Sequence, residues 1–243
     1  MTDTEKFEIR VALVGYVSVG KSTVLNALLG EKFSAVSLKR STAAVNHFKI
    51  IQPSEAEDKK EGAEPQSKKR RTKRDGEPKE DIVDLTTWTA EATHAVIAKD
   101  NDSLRSNEDD AVVEKTFEIQ VEDPICEMRK DTQLVLVDIP GINEADSSKK
   151  YKNYVENKWN TFDCVVLVMD AIQGVNTQEQ VELLKFVEAN NKNKKHIPTI
   201  ILGNKVDDPD DSEKMVLVEE ARAKCVDIFG PKCSGSALTE ILE

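Results

Sequence analysis

Between Gly15 and Ser22 the chain reads Gly-Tyr-Val-Ser-Val-Gly-Lys-Ser, a complete G-x-x-x-x-G-K-[ST] pattern. Glycines at both ends let the backbone curl until the amides of Ser18, Val19, Gly20, Lys21, Ser22 and Thr23 converge on one point. A helix that starts there adds partial positive charge. Such a cradle suits phosphate groups: Lys21 reaches the β and γ phosphates of a nucleotide, and the Ser22 hydroxyl can ligate Mg²⁺. A plain turn explains the pattern poorly, because cations are disfavoured at the amino end of a helix dipole.

Two further groups follow apolar runs. Asp138-Ile139-Pro140-Gly141 comes directly after Leu134-Val135-Leu136-Val137, which puts a carboxylate at the carboxyl end of a buried strand, where a sheet presents ligand-binding groups. Asp138 is expected to hold Mg²⁺ through water, and Gly141 to offer its N–H to a γ phosphate. Taken alone, an ordinary strand-ending Asp with a Pro-Gly turn would be the better explanation. Asn204-Lys205-Val206-Asp207 follows Thr199-Ile200-Ile201-Leu202-Gly203. An aspartate accepts two hydrogen bonds from the N1–H and 2-amino group of guanine, a donor pair that adenine lacks. Asn204 can contact the base and the neighbouring loop, and Lys205 can lay its stem on the ring. The expected preference is GTP over ATP. Chance could supply any one of these groups in a chain rich in Lys and Asp, but hardly all three at successive strand ends.

The elements that must position them can be read from periodicity. Phe7 to Gly15 reads as a strand, and Lys21 to Leu29 as a helix with Val24, Leu25, Leu28 and Leu29 on its apolar side before Gly30. From Ile51 to Glu80 the apolar residues are Ile51, Ala56 and Ala63, while 17 of 30 residues are charged, so a disordered insertion or long loop is expected. Trp88 to Lys99 has helical spacing, and the polar stretch from Asp100 to Asp110 follows it. Val113 to Val121 alternates and suggests a half-exposed antiparallel strand beside Gln133 to Asp138. Helices are expected at Lys149–Phe162, Asn176–Asn190 (with a Thr177/Gln180 capping box) and Ser212–Phe229, and buried strands at Cys164–Met169 and Thr199–Leu202. The fold class is therefore α/β, a mostly parallel sheet covered by helices with one antiparallel edge strand.

Composition bounds the partners. The chain has 243 residues, with 34 Lys plus Arg against 45 Asp plus Glu and a formal charge of −11, so binding to nucleic acid or anionic membranes through overall charge is disfavoured. Cys126, Cys164, Cys225 and Cys233 form no C-x-x-C pair, which points to reduced thiols and a cytoplasmic setting. The amino terminus lacks a secretory pattern, and no apolar run approaches the roughly 20 residues of a membrane span. Lys68 to Arg74 holds six cations in seven residues; it reads equally as a nuclear-import signal or as a solvated mixed-charge loop. His47, His94 and His196 have no ligand-like companions.

With these motifs in place, the chain resembles the P-loop GTPase superfamily, whose three-layer G domain carries GYVSVGKS, DIPG and NKVD as its first, third and fourth motifs. The resemblance implies a single G domain over residues 1–243 with an insertion at 51–110, and Mg²⁺ as cofactor. It also implies that Ser236 and Ala237 form a fifth motif contacting guanine, and that Thr42 closes over Mg²⁺ and the γ phosphate, with Ser41 as the alternative. The 117 positions from Lys21 to Asp138, together with VLNALLGEKFSAVSLKRSTAAVN and FEIQVEDP, resemble dynamin-superfamily G domains. That likeness implies G-domain homodimerisation, stimulated GTP hydrolysis to GDP, and membrane association only through parts outside this chain. Two departures bear on catalysis. Ile142 stands where Ras-type proteins carry a water-orienting Gln, and Val17 where dynamins carry a polar P-loop side chain. Ser18 and the Thr42 carbonyl are the remaining candidates for holding water. Arg40 reads either as an internal charge-stabilising finger or as a solvated loop residue. Slow hydrolysis completed by a partner and a GTP-gated switch with negligible turnover both fit.

Overall fold

The computed structural model describes residues 6–33, 44–51, 69–71, 81–105, 112–121, 128–129, 131–143, 148–206, 208 and 210–230. Its strands are β1 (Phe7–Val14), β2 (Val45–Ile51), β3 (Lys69–Arg71), β4 (Asp81–Asp84), β5 (Glu114–Gln120), β6 (Thr132–Asp138), β7 (Cys164–Asp170) and β8 (Thr199–Asn204). The helices are α1 (Lys21–Leu29), α2 (Ala90–Arg105), α3 (Ser148–Lys158), α4 (Gln178–Asn193) and α5 (Ser212–Phe229). The strands form one sheet in the order β3-β4-β5-β2-β6-β1-β7-β8. No helix among the described residues is long and apolar enough to cross a membrane.

Successive residues of a strand point to opposite faces, so a strand buried on both faces must be apolar throughout. Strand β7 and the carboxyl-terminal halves of β1 and β6 obey this up to their last residues. Leu13, Leu136 and Phe48 pack on one face with Val24, Leu25 and Leu29 of α1 and Ile97 of α2. Ala12, Val14, Val135 and Val137 pack on the other with Tyr151 and Val155 of α3, Leu183, Leu184 and Val187 of α4, and Cys225 of α5. This is the expected three-layer α/β arrangement.

Within it, β6, β1, β7 and β8 are mutually parallel. Strand β2 lies antiparallel against β6, and β5 and β4 then follow β2 in parallel. This corrects the expectation for Val113–Val121: β5 does not adjoin β6, because β2 is inserted between them, and it runs parallel to its neighbours. The antiparallel edge strand is β3, drawn from the basic run and paired with β4. Strand β2 carries Asn46, His47 and Lys49, which mask its apolar pattern, although Asn46 and His47 are buried. The helix expected over Trp88–Lys99 runs from Ala90 to Arg105, so the polar stretch begins inside it. The helix expected to end at Phe162 stops at Lys158 and passes into a 3₁₀ turn over Trp159–Thr161. The Thr177/Gln180 capping box is present with both of its bonds. Cys164 and Cys225 are free thiols; Cys126 and Cys233 lie outside the described residues.

Behind β2, a polar cluster joins the sheet to α3. Glu114 Oε2 is 3.1 Å from His47 Nε2 and accepts a hydrogen bond from the Tyr154 hydroxyl at 3.0 Å. Its other oxygen pairs with Lys158 Nζ at 3.1 Å. The hydrogen bond from His47, with those from Lys158 and Tyr154, outweighs burial and holds the Glu114 carboxyl at about 2. A carboxyl depressed from 4.5 to about 2 adds stability above 4.5 that is lost as pH falls through that interval. We therefore expect Glu114→Gln to cost roughly 1 kcal/mol at neutral pH, since the partly exposed group is screened. Its urea-unfolding free energy should also fall less steeply than that of the wild type between pH 4.5 and about 2; parallel acid profiles would contradict the assignment.

Candidate functional site

The parallel block β6-β1-β7-β8 sends all of its carboxyl ends to one edge, and three of the motifs follow directly from β1, β6 and β8. After β1, Gly15 turns so close to β7 that a Cβ there would lie 2.5 Å from the Val168 carbonyl oxygen. Gly20 has φ +94°, and a Cβ on it would sit 2.1 Å from Asn204 Nδ2. Helix α1 begins at once, with no side-chain cap and no acidic residue in its first turn. The contrast with α4, closed by its capping box, and α5, capped by Asp211, leaves the α1 amides as the donors suited to an anion. Ser22 and Thr23 stand in that first turn, half-buried, and Val19 is buried. Lys21 is buried, and its Nζ donates to the carbonyls of Tyr16 at 2.8 Å and Gly15 at 3.3 Å. Tyr16 fixes the outer side of the loop by donating its hydroxyl to the Glu179 carbonyl. Burial, then the charges of Glu179 and Glu182, raises its pKa to about 12, so that donor is retained at neutral pH.

Asp138 closes β6 and is fully buried. It lies in register with Leu13 on β1 and Asn46 on β2, which puts it on the α1 face of the sheet. The next residues press on the phosphate loop. A Cβ on Gly141 would come within 2.3 Å of Val17 Cγ2 and 2.6 Å of Val17 N, and the Ile142 N–H donates to the Gly15 carbonyl at 3.3 Å. The Ile142 side chain is fully buried in the core beneath α3, so it turns away from any phosphate. Asn143, which sequence reasoning passed over, accepts the Val17 N–H on its Oδ1 at 2.8 Å. A loop asparagine two positions after a glycine carries no signal that would single it out.

The loop after β8 is tied to the same place. Asn204 Nδ2 donates to the Val19 carbonyl at 2.9 Å. Lys205 has φ +69°, and its Nζ pairs at 2.8 Å with Asp170, the last residue of β7. Asp170 also accepts the N–H groups of Ile172 and Gln173, each at 3.1 Å. An acid ending an apolar strand singled out Asp138, and the same signal would have singled out Asp170. Ser18 (φ +62°) and Lys205 (φ +69°) are the non-glycine residues with left-handed backbone among those described. Each conformation costs about 1–2 kcal/mol, and both fall in this site, as strain at functional loops commonly does.

Thr42, Ser41, Arg40, Asp207, Ser236 and Ala237 lie outside the described residues. The strand entered after Thr42 is held from the insertion: the Ala44 N–H donates to Asn101 Oδ1 on α2 at 3.3 Å. Among the described residues no cluster of three or more His, Cys, Asp or Glu could form a metal cage. Mg²⁺ binds through one or two protein oxygens plus phosphates and water rather than in such a cage. The hydroxyl of Ser22 and the buried carboxylate of Asp138 are hard oxygen donors that fit this mode.

No curated protein sequence matches the chain. Similar solved structures include Era in complex with MgGDPNP and a 16S ribosomal RNA segment, at 17% identity, TM-score 0.47, covering 90% of this chain and 48% of that one. Toc33 from Arabidopsis thaliana, a dimerization-deficient mutant, is similar at 11% identity and TM-score 0.47, covering 91% and 62%. A chain of an oligomerised bacterial dynamin pair is similar at 17% identity and TM-score 0.47, covering 91% and 31%. This chain thus spans less than two thirds of the length of each. The model of the dynamin family matches residues 11–206, from within β1 into the loop after β8, and the chain belongs to the dynamin family.

Proposed function

We propose that this chain binds GTP with Mg²⁺ and hydrolyses it to GDP and phosphate. The carrying observation is the bond from Asn204 Nδ2 to the Val19 carbonyl, 2.9 Å long. It joins a guanine-type motif to a phosphate loop on the sheet edge that also holds Asp138. In this reading the P-loop amides and Lys21 hold the β and γ phosphates, with Gly141 N–H directed at the γ phosphate. Ser22, Asp138 and Thr42 hold Mg²⁺, which when bound neutralises charge on the phosphate oxygens. Asn204 fixes the loop, Lys205 flanks the base, Asp207 accepts the two guanine donors, and Ser236 and Ala237 close over the base.

Water attacks the γ phosphorus in line, and the bond to the bridging oxygen breaks. The buried Ile142 and the apolar Val17 offer that water no hydrogen-bonding side chain. This supports slow intrinsic turnover raised by self-association of G domains, with Ser18, Arg40 and the Thr42 carbonyl as contributing groups. The same observation favours a second reading, a GTP-gated switch that turns over negligibly and changes partners through the loops around Thr42 and Asp138.

The GTP hydrolysis rate per molecule, measured across a wide protein concentration range, separates the two. A rate climbing with concentration supports the self-associating enzyme, and a flat, near-zero rate with tight GTP binding supports the switch. Lys21→Ala should weaken GTP binding about 10- to 100-fold by removing a charge-assisted phosphate contact; unchanged affinity would refute the phosphate site. Asp207→Asn should shift preference from GTP toward XTP, whose base offers the complementary acceptor, and an unaltered preference would refute the guanine assignment.

A further inference from the structure

We propose that Asn143 positions the attacking water, supplying the hydrogen-bonding side chain that neither Ile142 nor Val17 offers. The inference rests on the GTPase reading above. Three consecutive residues lie against the backbone of the phosphate loop. A Cβ on Gly141 would fall 2.6 Å from Val17 N, Ile142 N–H donates to the Gly15 carbonyl at 3.3 Å, and Asn143 Oδ1 accepts the Val17 N–H at 2.8 Å. The orientation of the Asn143 carboxamide is therefore set by the loop it will serve.

Its chemistry suits the task. A carboxamide has two lone pairs on oxygen and two N–H donors on nitrogen. One lone pair is engaged by Val17. Asn143 is exposed, so its remaining lone pair and its donors stay available at the outer face of the P-loop, beside the residue whose own side chain is an isopropyl group. The lone pair can accept one water hydrogen while an N–H donates to a γ-phosphate oxygen, which together aim the water's oxygen at phosphorus. In the step itself the water oxygen bonds to the γ phosphorus, the electron pair of the breaking bond leaves on the β-phosphate oxygen of GDP, and the water proton passes to the released phosphate. Asn143 takes no proton. Ile142, one position earlier, is fully buried under α3, so the polar role has shifted by one residue along the same strap.

Steady-state kinetics of the full chain with Mg²⁺-GTP, alongside binding of a non-hydrolysable GTP analogue and thermal melting, test this. Asn143→Ala should lower kcat about 10- to 100-fold with KM and analogue affinity little changed. Asn143→Asp keeps the acceptor for Val17 N–H but has no donor for the phosphate, so it should melt like the wild type and still turn over slowly; Asn143→Gln should recover part of kcat. Wild-type kcat in Asn143→Ala overturns the proposal. So does full recovery in Asn143→Asp, which would reduce the residue to a loop tether. A wild type that binds GTP but turns over at no concentration overturns the GTPase reading together with this one, whereas wild-type turnover insensitive to Asn143 overturns only this one.

Discussion

A side chain reaching from one loop to the backbone of another organises this domain. Asn204, the last residue of β8, donates its Nδ2 to the Val19 carbonyl, and it lies where any Cβ on Gly20 would have to be. The phosphate loop can curl beneath the base-reading loop only because Gly20 has no side chain and tolerates φ +94°. Sheet order then does the rest. With β7 as the single strand between β1 and β8, the strands that carry the two loops stand two strand spacings apart, about 10 Å, and the Asn204 side chain closes that gap.

The opposite side of the phosphate loop is fixed by different means. The chain after β6 lies on Val17 through Gly141, bonds Gly15 through Ile142 N–H, and bonds Val17 through Asn143. Behind it, Tyr154 and Lys158 of α3 converge with His47 of β2 on Glu114. The segments entering and leaving the site, β2 on one side and α3 on the other, are thus joined through a single carboxylate. The inserted helix α2 adds a further tie, through Asn101, to the first residue before β2. The long insertion is in this way part of the site's support, contributing β4 to the sheet and α2 to the layer beside α1.

Much of this was legible in residue patterns, for physical reasons. Strand β7 and the carboxyl-terminal halves of β1 and β6 are covered on both faces, so they read as apolar runs, and the edge strand β8 is apolar although Ile200 is exposed. The capping box of α4 depends on local hydrogen bonding and was equally readable. Strand β2 was not, because buried Asn46 breaks its apolar pattern and His47 and Lys49 pair with Glu114 and Glu8 on other strands, contacts that no local window reveals. Alternation in β5 was real but misattributed: its polar face carries Glu114 toward His47 and Tyr154, which mimics the solvent-facing side of an antiparallel strand. Asn143 was hidden because its role comes from a contact spanning 126 positions.

The central claim is that one edge of the sheet reads both a guanine base and a triphosphate. Calorimetric titration of the purified chain with GTP and with ATP, each in Mg²⁺, tests it most directly. The account predicts one saturable GTP site per chain, with ATP weaker by about 100-fold or more because an aspartate left facing adenine loses both of its donors. Equal affinities for the two nucleotides, or no heat with either, would contradict it.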